Sequence, residues 1–143
     1  MRFPILLISL IILLISCSKS ENISVIQKNS QCGHVRNEQH IVVDNDEKWN
    51  LVHKNFFKEA PAKTLGAEEL GVLIFLGERP SSGYSLDFIE SYATDKEFII
   101  VVNEIGPKEL DPVLTVMTYP CIALKIPKTD KEIKIILEEP RKR

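Results

Sequence analysis

Apolar residues recur along this chain on two different periods. Early on, Trp49, Val52, His53 and Phe56 fall at i, i+3, i+4 and i+7, one stripe of a helix ending near Phe57. Asp44, Asn45 and Asp46 stand before it as candidate N-caps and put negative charge at its first turn. After Gly71 the period drops towards two. Residues 72–76 are continuously apolar, as in a strand buried on both faces. Residues 84–89 alternate, with Tyr84, Leu86 and Phe88 on one face and Ser85 and Asp87 on the other. Residues 97–103 are rich in β-branched side chains, and 113–117 form a further strand candidate. In 121–126, Ile122, Leu124 and Ile126 alternate with Cys121, Ala123 and Lys125, and 132–137 supply the closing strand. Ahead of the helix, 41–43 read as a short strand, and Ile23, Val25 and Ile26 are candidates for an edge strand.

Turn residues divide these runs. The segment 58–69 carries Pro61 and Gly66 and reads as a loop, with a turn of helix at 67–70. Gly106, Pro107 and Pro112 make 106–112 a loop, since such residues do not sit in a paired central strand. Pro127 and Thr129-Asp130-Lys131 make the last turn. The expected fold is mainly β (α+β): six or seven short strands in a sandwich or partly open barrel, with one early helix packed on it. At 143 residues, 44% of them hydrophobic, one domain is the natural count.

The first sixteen residues have a separate job. Arg2 is a positive n-region, and residues 5–15 are an apolar stretch too short to span a bilayer as a helix. The stretch ends Leu14-Ile15-Ser16-Cys17, which resembles the bacterial lipobox, whose cysteine is lipidated and becomes the first residue after cleavage. The resemblance implies a signal peptide at 1–16, acyl chains on Cys17 and a lipid-anchored protein of the bacterial cell envelope. Ser18 follows in place of the aspartate of an inner-membrane retention signal, so in a Gram-negative host the outer membrane is expected. Residues 17–35 then read as the lipidated N-terminus and tether, 36–138 as the folded domain and 139–143 as a charged tail.

Lys+Arg number 18 against 20 Asp+Glu, so no basic excess points to nucleic acid. Setting Cys17 aside leaves Cys32 and Cys121, 89 positions apart. In an exported protein such a pair is usually a disulfide. The competing reading is a metal site from Cys32, His34, His40 and Cys121, although Cys-x-His is not a zinc spacing and no Cys-x-x-Cys is present. Catalysis needs a nucleophile or acid/base held by a partner group. Neither Gly-x-Ser-x-Gly nor His-Glu-x-x-His occurs, and the expectation is a non-enzyme with no cofactor.

The strongest turn chemistry lies in 77–84. Pro80 pre-sets φ, Gly77 and Gly83 permit positive φ, and Ser81 and Ser82 can bond their own backbone. Two readings stay open: a plain strand connection with Tyr84 anchored in the core, or a surface loop in which Arg79 and Tyr84 contact a protein.

Here Gly-x-Arg-Pro-x-x-Gly-Tyr-Ser at 77–85 joins other landmarks. These are Asp46-Glu47-Lys48-Trp49 in the capped helix, and Thr118-Tyr119-Pro120-Cys121 leading to Ile126-Pro127. With these the chain, from about Ile41 to Ile136, resembles the PrcB-like family, named after a lipoprotein subunit of a bacterial surface protease complex. The resemblance implies a non-catalytic, lipid-anchored domain that associates with and stabilises a protein partner, a protease being the partner class the family suggests. Cys121 stands where the family often has an aromatic, a departure that fits a disulfide to Cys32. The loop Arg79-Pro80-Ser81-Ser82-Gly83-Tyr84 also looks like the Asn-Pro-Thr-Thr-Gly-Tyr/Phe loop of chagasin-type inhibitors of cysteine proteases, with Arg79 replacing the asparagine. The alternative it implies is inhibition of such a protease through this loop.

Overall fold

The computed structural model describes residues 22–58 and 63–138; the signal-peptide, Cys17 and 139–143 readings lie outside them. Chain order is β1 (Ser24–Asn29), β2 (Gln39–Val43), α1 (Asp46–Phe57), β3 (Glu69–Phe75), β4 (Ser85–Ala93), β5 (Glu97–Ile105), β6 (Cys121–Pro127) and β7 (Glu132–Glu138). The strands form two sheets, β1-β6-β3-β2 and β4-β5-β7. The first is antiparallel throughout. In the second, β4 and β5 are antiparallel while β5 and β7 are parallel. The parallel pair follows from the route of the chain. β6 ends at the same end of the molecule where β5 begins, and only the 128–131 turn separates it from β7, so β7 must run alongside β5 in the same direction.

The fold is the sandwich of the two expected architectures, with no closed barrel. Between the sheets, Val72, Ile74, Ile122 and Leu124 meet Leu86, Phe98, Ile100 and Val102, with Ile133, Ile135 and Leu137 of β7 packed at the side. The outer face of the first sheet is also covered. Leu73, Phe75, Cys121 and Ala123 pack with Trp49 and Phe57 of the helix. β3 is therefore buried on both faces, as its unbroken apolar run predicts. The helix lies so close that a Cβ on Gly71 would fall 2.3 Å from the Trp49 ring.

Local chemistry holds α1 in place. The Asn45 side chain caps it by accepting from Lys48 N at 2.9 Å, and Lys58 ends it in the left-handed region at φ 59°. Trp49 Nε1 donates to the Lys63 carbonyl at 3.0 Å, and Leu65 N donates to Asp46 Oδ1 at 2.8 Å. Lys125 points to this helix side of β6. Its ammonium reaches the Thr64 carbonyl at 2.7 Å and pairs with Glu69, so the one charge on a buried strand is satisfied. His53 is fully buried between Trp49 and Phe57, with both ring nitrogens unpartnered, and is a packing residue as its stripe position suggests.

Two expectations need correction. Order does not wait for residue 36: the segment 17–35 read as tether enters the first sheet at Ser24, where β1 pairs with β6. The candidate edge strand at Ile23, Val25 and Ile26 is thus real structure. The strand expected at 113–117 does not form. Val116 N donates to the Leu114 carbonyl two residues back at 2.9 Å, a γ-turn that breaks the extended run.

Candidate functional site

The register of β6 sorts the loops into two groups. Asn29, Phe75 and Gln39 all lie at the Cys121 end of the first sheet, and Ser24 and Glu69 lie at the Lys125–Pro127 end. The segments 30–38, 77–84 and 106–120 therefore share one end of the sandwich. That end is tied by the Cys32–Cys121 disulfide, with the two Cα atoms 6.0 Å apart. Both sulfurs are spent in this bond, so the four-ligand metal reading with His34 and His40 loses its two thiolates. His34 instead lays its ring edge-on against Tyr119 at 4.9 Å. Among the described residues no group of three or more His, Cys, Asp and Glu could hold a metal ion.

The loop 77–84 sits at this end but does not stand free. Gly77 and Gly83 take φ of 83° and 91°, as the turn chemistry requires. Arg79 N donates to the Thr118 carbonyl at 2.8 Å, and Thr118 N returns the bond to Arg79 O at 2.9 Å. The Thr118 hydroxyl donates to Ser81 O at 2.7 Å. Ser82 N donates to Leu114 O at 3.0 Å, while the Ser82 hydroxyl accepts from Leu114 N at 2.8 Å. The loop is thus laced to 114–118 along its length.

Each expected contact residue has a definite place. Pro80 and Gly83 are exposed; Arg79, Ser81, Ser82 and Tyr84 are half-buried. The Arg79 guanidinium grips Glu104 with two bonds, Nε to Oε1 at 2.8 Å and Nη2 to Oε2 at 2.9 Å, and lies 3.5 Å from Glu38. Its side chain is 20% exposed and that of Glu104 12%, so this pair is largely desolvated. Removing Arg79 would strand a nearly buried carboxylate, which makes it a bracing residue before anything else. Tyr84 precedes β4 and lays its ring beside Gly106, where a Cβ would approach it to 3.3 Å. Tyr119 donates its hydroxyl to Glu78 at 3.0 Å.

What the sequence reasoning missed is the other half of this surface. Residues 110–117 hold five of the ten exposed large hydrophobic side chains among the described residues: Leu110, Val113, Leu114, Val116 and Met117. Leu110 is 96% exposed and Leu114 69%. The signal in the sequence is an apolar run following two prolines, a pattern that reads equally as a strand. Elsewhere, a cleft of about 170 Å³ opens between the edges of β2 and β7, lined by core side chains such as Ile74, Leu86 and Ile135.

The family model described as PrcB C-terminal matches residues 70–127. This bears out the PrcB-like resemblance, over a shorter span than Ile41 to Ile136. No curated protein and no solved structure matches the chain. The matched segment contains both 77–84 and 106–117.

Proposed function

We propose that this PrcB-like chain is a non-catalytic, lipid-anchored protein of the bacterial cell envelope that binds and stabilises a protein partner, with a protease as the partner class the family suggests. The observation that supports the reading most is that the family match at 70–127 takes in the whole laced loop pair of the disulfide end. The anchor rests on Leu14-Ile15-Ser16-Cys17.

The test has two arms. Cys17→Ser in the full chain should release the protein from the membrane fraction or leave its precursor unprocessed. A processed Cys17→Ser protein that still sediments with membranes would remove the anchor. In the second arm, tagged full chain is purified from detergent-solubilised membranes. The expected result is one co-purifying protein with wild type and much less with Tyr84→Ala. Inhibition of a papain-like protease by the chain would replace this reading with the inhibitor one.

A further inference from the structure

The two sheets are unequal, four strands facing three. On one side they are closed against each other, where Lys28 of β1 pairs with Asp87 of β4. On the other side the edges are β2 and β7, and among the described residues neither pairs with a further strand. β2 shows the consequence. His40 and Val42 stand opposite Ile74 and Val72, so all four side chains share the face that looks towards the second sheet. Ile74 and Val72 are buried in the core between the sheets, while His40 is exposed and Val42 is 41% exposed. The second sheet ends at β7 and lays no strand opposite them. The cleft of about 170 Å³ lies in that step, with Gln39 and His40 on one side and Ile135 and Leu137 on the other.

The shape and chemistry of the step suit a strand. A strand paired on one side only leaves the N–H and C=O of alternate residues unpaired. β7 presents such an edge over seven residues, with no proline among them. An extended segment laid along it turns every second side chain towards β2 and the cleft. An apolar cavity of about 150 Å³ accepts a benzene ring, so the cleft has room for one large apolar side chain. Other occupants meet only part of this. An acyl chain fills the cleft but offers β7 no hydrogen bonds. Residues 139–143, which follow β7 directly, read Glu-Pro-Arg-Lys-Arg and bring no apolar side chain. The N-terminal segment enters at β1, the far edge of the first sheet. In a second copy β7 could pair with β7, but its Ile133, Ile135 and Leu137 are already packed in that copy's own core. The exposed apolar run of a second copy, 110–117, is bent by turns at 108–111 and 114–116 and is not extended.

We infer that the open side between β2 and β7 takes up an extended segment of a protein partner, which hydrogen-bonds along β7 and seats one large apolar side chain in the cleft. This deepens the partner-binding reading and rests on it, since it says how the partner is held. Glu38 lines the cleft with a side chain 61% exposed, which favours a basic residue in the segment beside that anchor.

The experiment places a photo-crosslinking amino acid in the full chain, in intact host cells, at His40 or, as a control, at Tyr92. Tyr92 is exposed on β4, the opposite edge of the second sheet. Adducts are identified by mass and mapped to the residues they join. The expected result is an adduct at His40 to one short stretch of one protein, with apolar residues at alternate positions, and none at Tyr92. Val42→Lys, at an already exposed position, should lower that adduct about tenfold, or about 1.4 kcal/mol, while the melting temperature stays unchanged. The mapped stretch, added as a synthetic peptide to the purified full chain in detergent, should slow hydrogen exchange in 132–138. Equal yields at both positions, phospholipid adducts, adducts within the chain to 139–143 or to a second copy, a yield indifferent to Val42→Lys, or unchanged exchange in 132–138 would each overturn the inference. A protein that co-purifies with the tagged chain but gives no His40 adduct would keep the partner-binding reading and sink this mode of holding it. Absence of both the co-purifying protein and the adduct would sink the two together.

Discussion

His53 shows how a single side chain can set the pH response of this fold. It is fully buried, both its nitrogens lack partners, and burial lowers its pKa from 6.5 to about 4. Desolvation disfavours the imidazolium, so the folded state refuses a proton that the unfolded chain accepts. Stability from this group is complete above about pH 6.5, declines as pH falls and levels off below about pH 4. A displacement of that size corresponds to about 3 kcal/mol. His53→Leu, close in volume, should remove this part of the acid slope and hold or gain stability at neutral pH. Paired denaturant titrations of wild type and variant from pH 7 to pH 4 measure it, and parallel curves would refute the assignment. The stripe through Trp49 made the burial of His53 legible in the sequence; the lack of any partner for its nitrogens was not, because that depends on what the sheet brings to the other side. Arg79 teaches the reverse. A turn sequence gives no sign that Glu104, 25 positions later, will meet its guanidinium, so it reads as a free contact residue when it is a brace.

At the scale of elements, what read correctly was set by local chemistry. The Asn45 cap, the stripe of α1, the two-faced apolar run of β3 and the alternation of β6 each fall where the pattern puts them. What misread depended on a partner elsewhere in the chain. β1 lies within 17–35, which reads as tether, yet it pairs with β6, and the Cys32–Cys121 bond ties the segment that follows it to the start of β6. The run 113–117 had strand composition but was given a serine and a γ-turn in place of a neighbouring strand. The disulfide is the covalent form of the β1–β6 connection, closing a loop of 89 positions. By the chain-entropy argument such a bridge contributes about 4.5 kcal/mol. Cys32→Ala with Cys121→Ala should lower stability by a large part of that, and fray β1 first. Hydrogen exchange would locate the loss: protection should fall most in 24–29 and least in β3. A uniform loss across the sheets would mean that the bridge acts on the whole fold and has no special hold on β1.

For the whole molecule, the segment that carries the family resemblance is not the segment that closes the fold. Residues 70–127 hold β4, β5, β6 and nearly all of β3, so they contain the middle of both sheets. They lack β1 and β2, the two edges of the first sheet, and β7, which flanks β5. They also lack Trp49 and Phe57, which cover Leu73, Phe75 and Ala123, and Cys32, the partner of Cys121. Cut out alone, 70–127 would expose the helix side of β3 and β6 to water and leave the inner core open beside β5, where Ile133, Ile135 and Leu137 pack. Fully burying one large apolar side chain contributes about 1.5–3 kcal/mol, and a typical domain has only about 5–15 kcal/mol in hand. Several such losses together exceed that margin. The prediction is that residues 22–138 unfold in one cooperative transition, while 70–127 alone show none and bind dyes specific for exposed apolar surface. Thermal melts of the two fragments, followed by circular dichroism, make the comparison. A sharp melt of 70–127 would show that the two central strand pairs suffice as a folding unit, and that α1, β1, β2 and β7 are additions to a core complete without them.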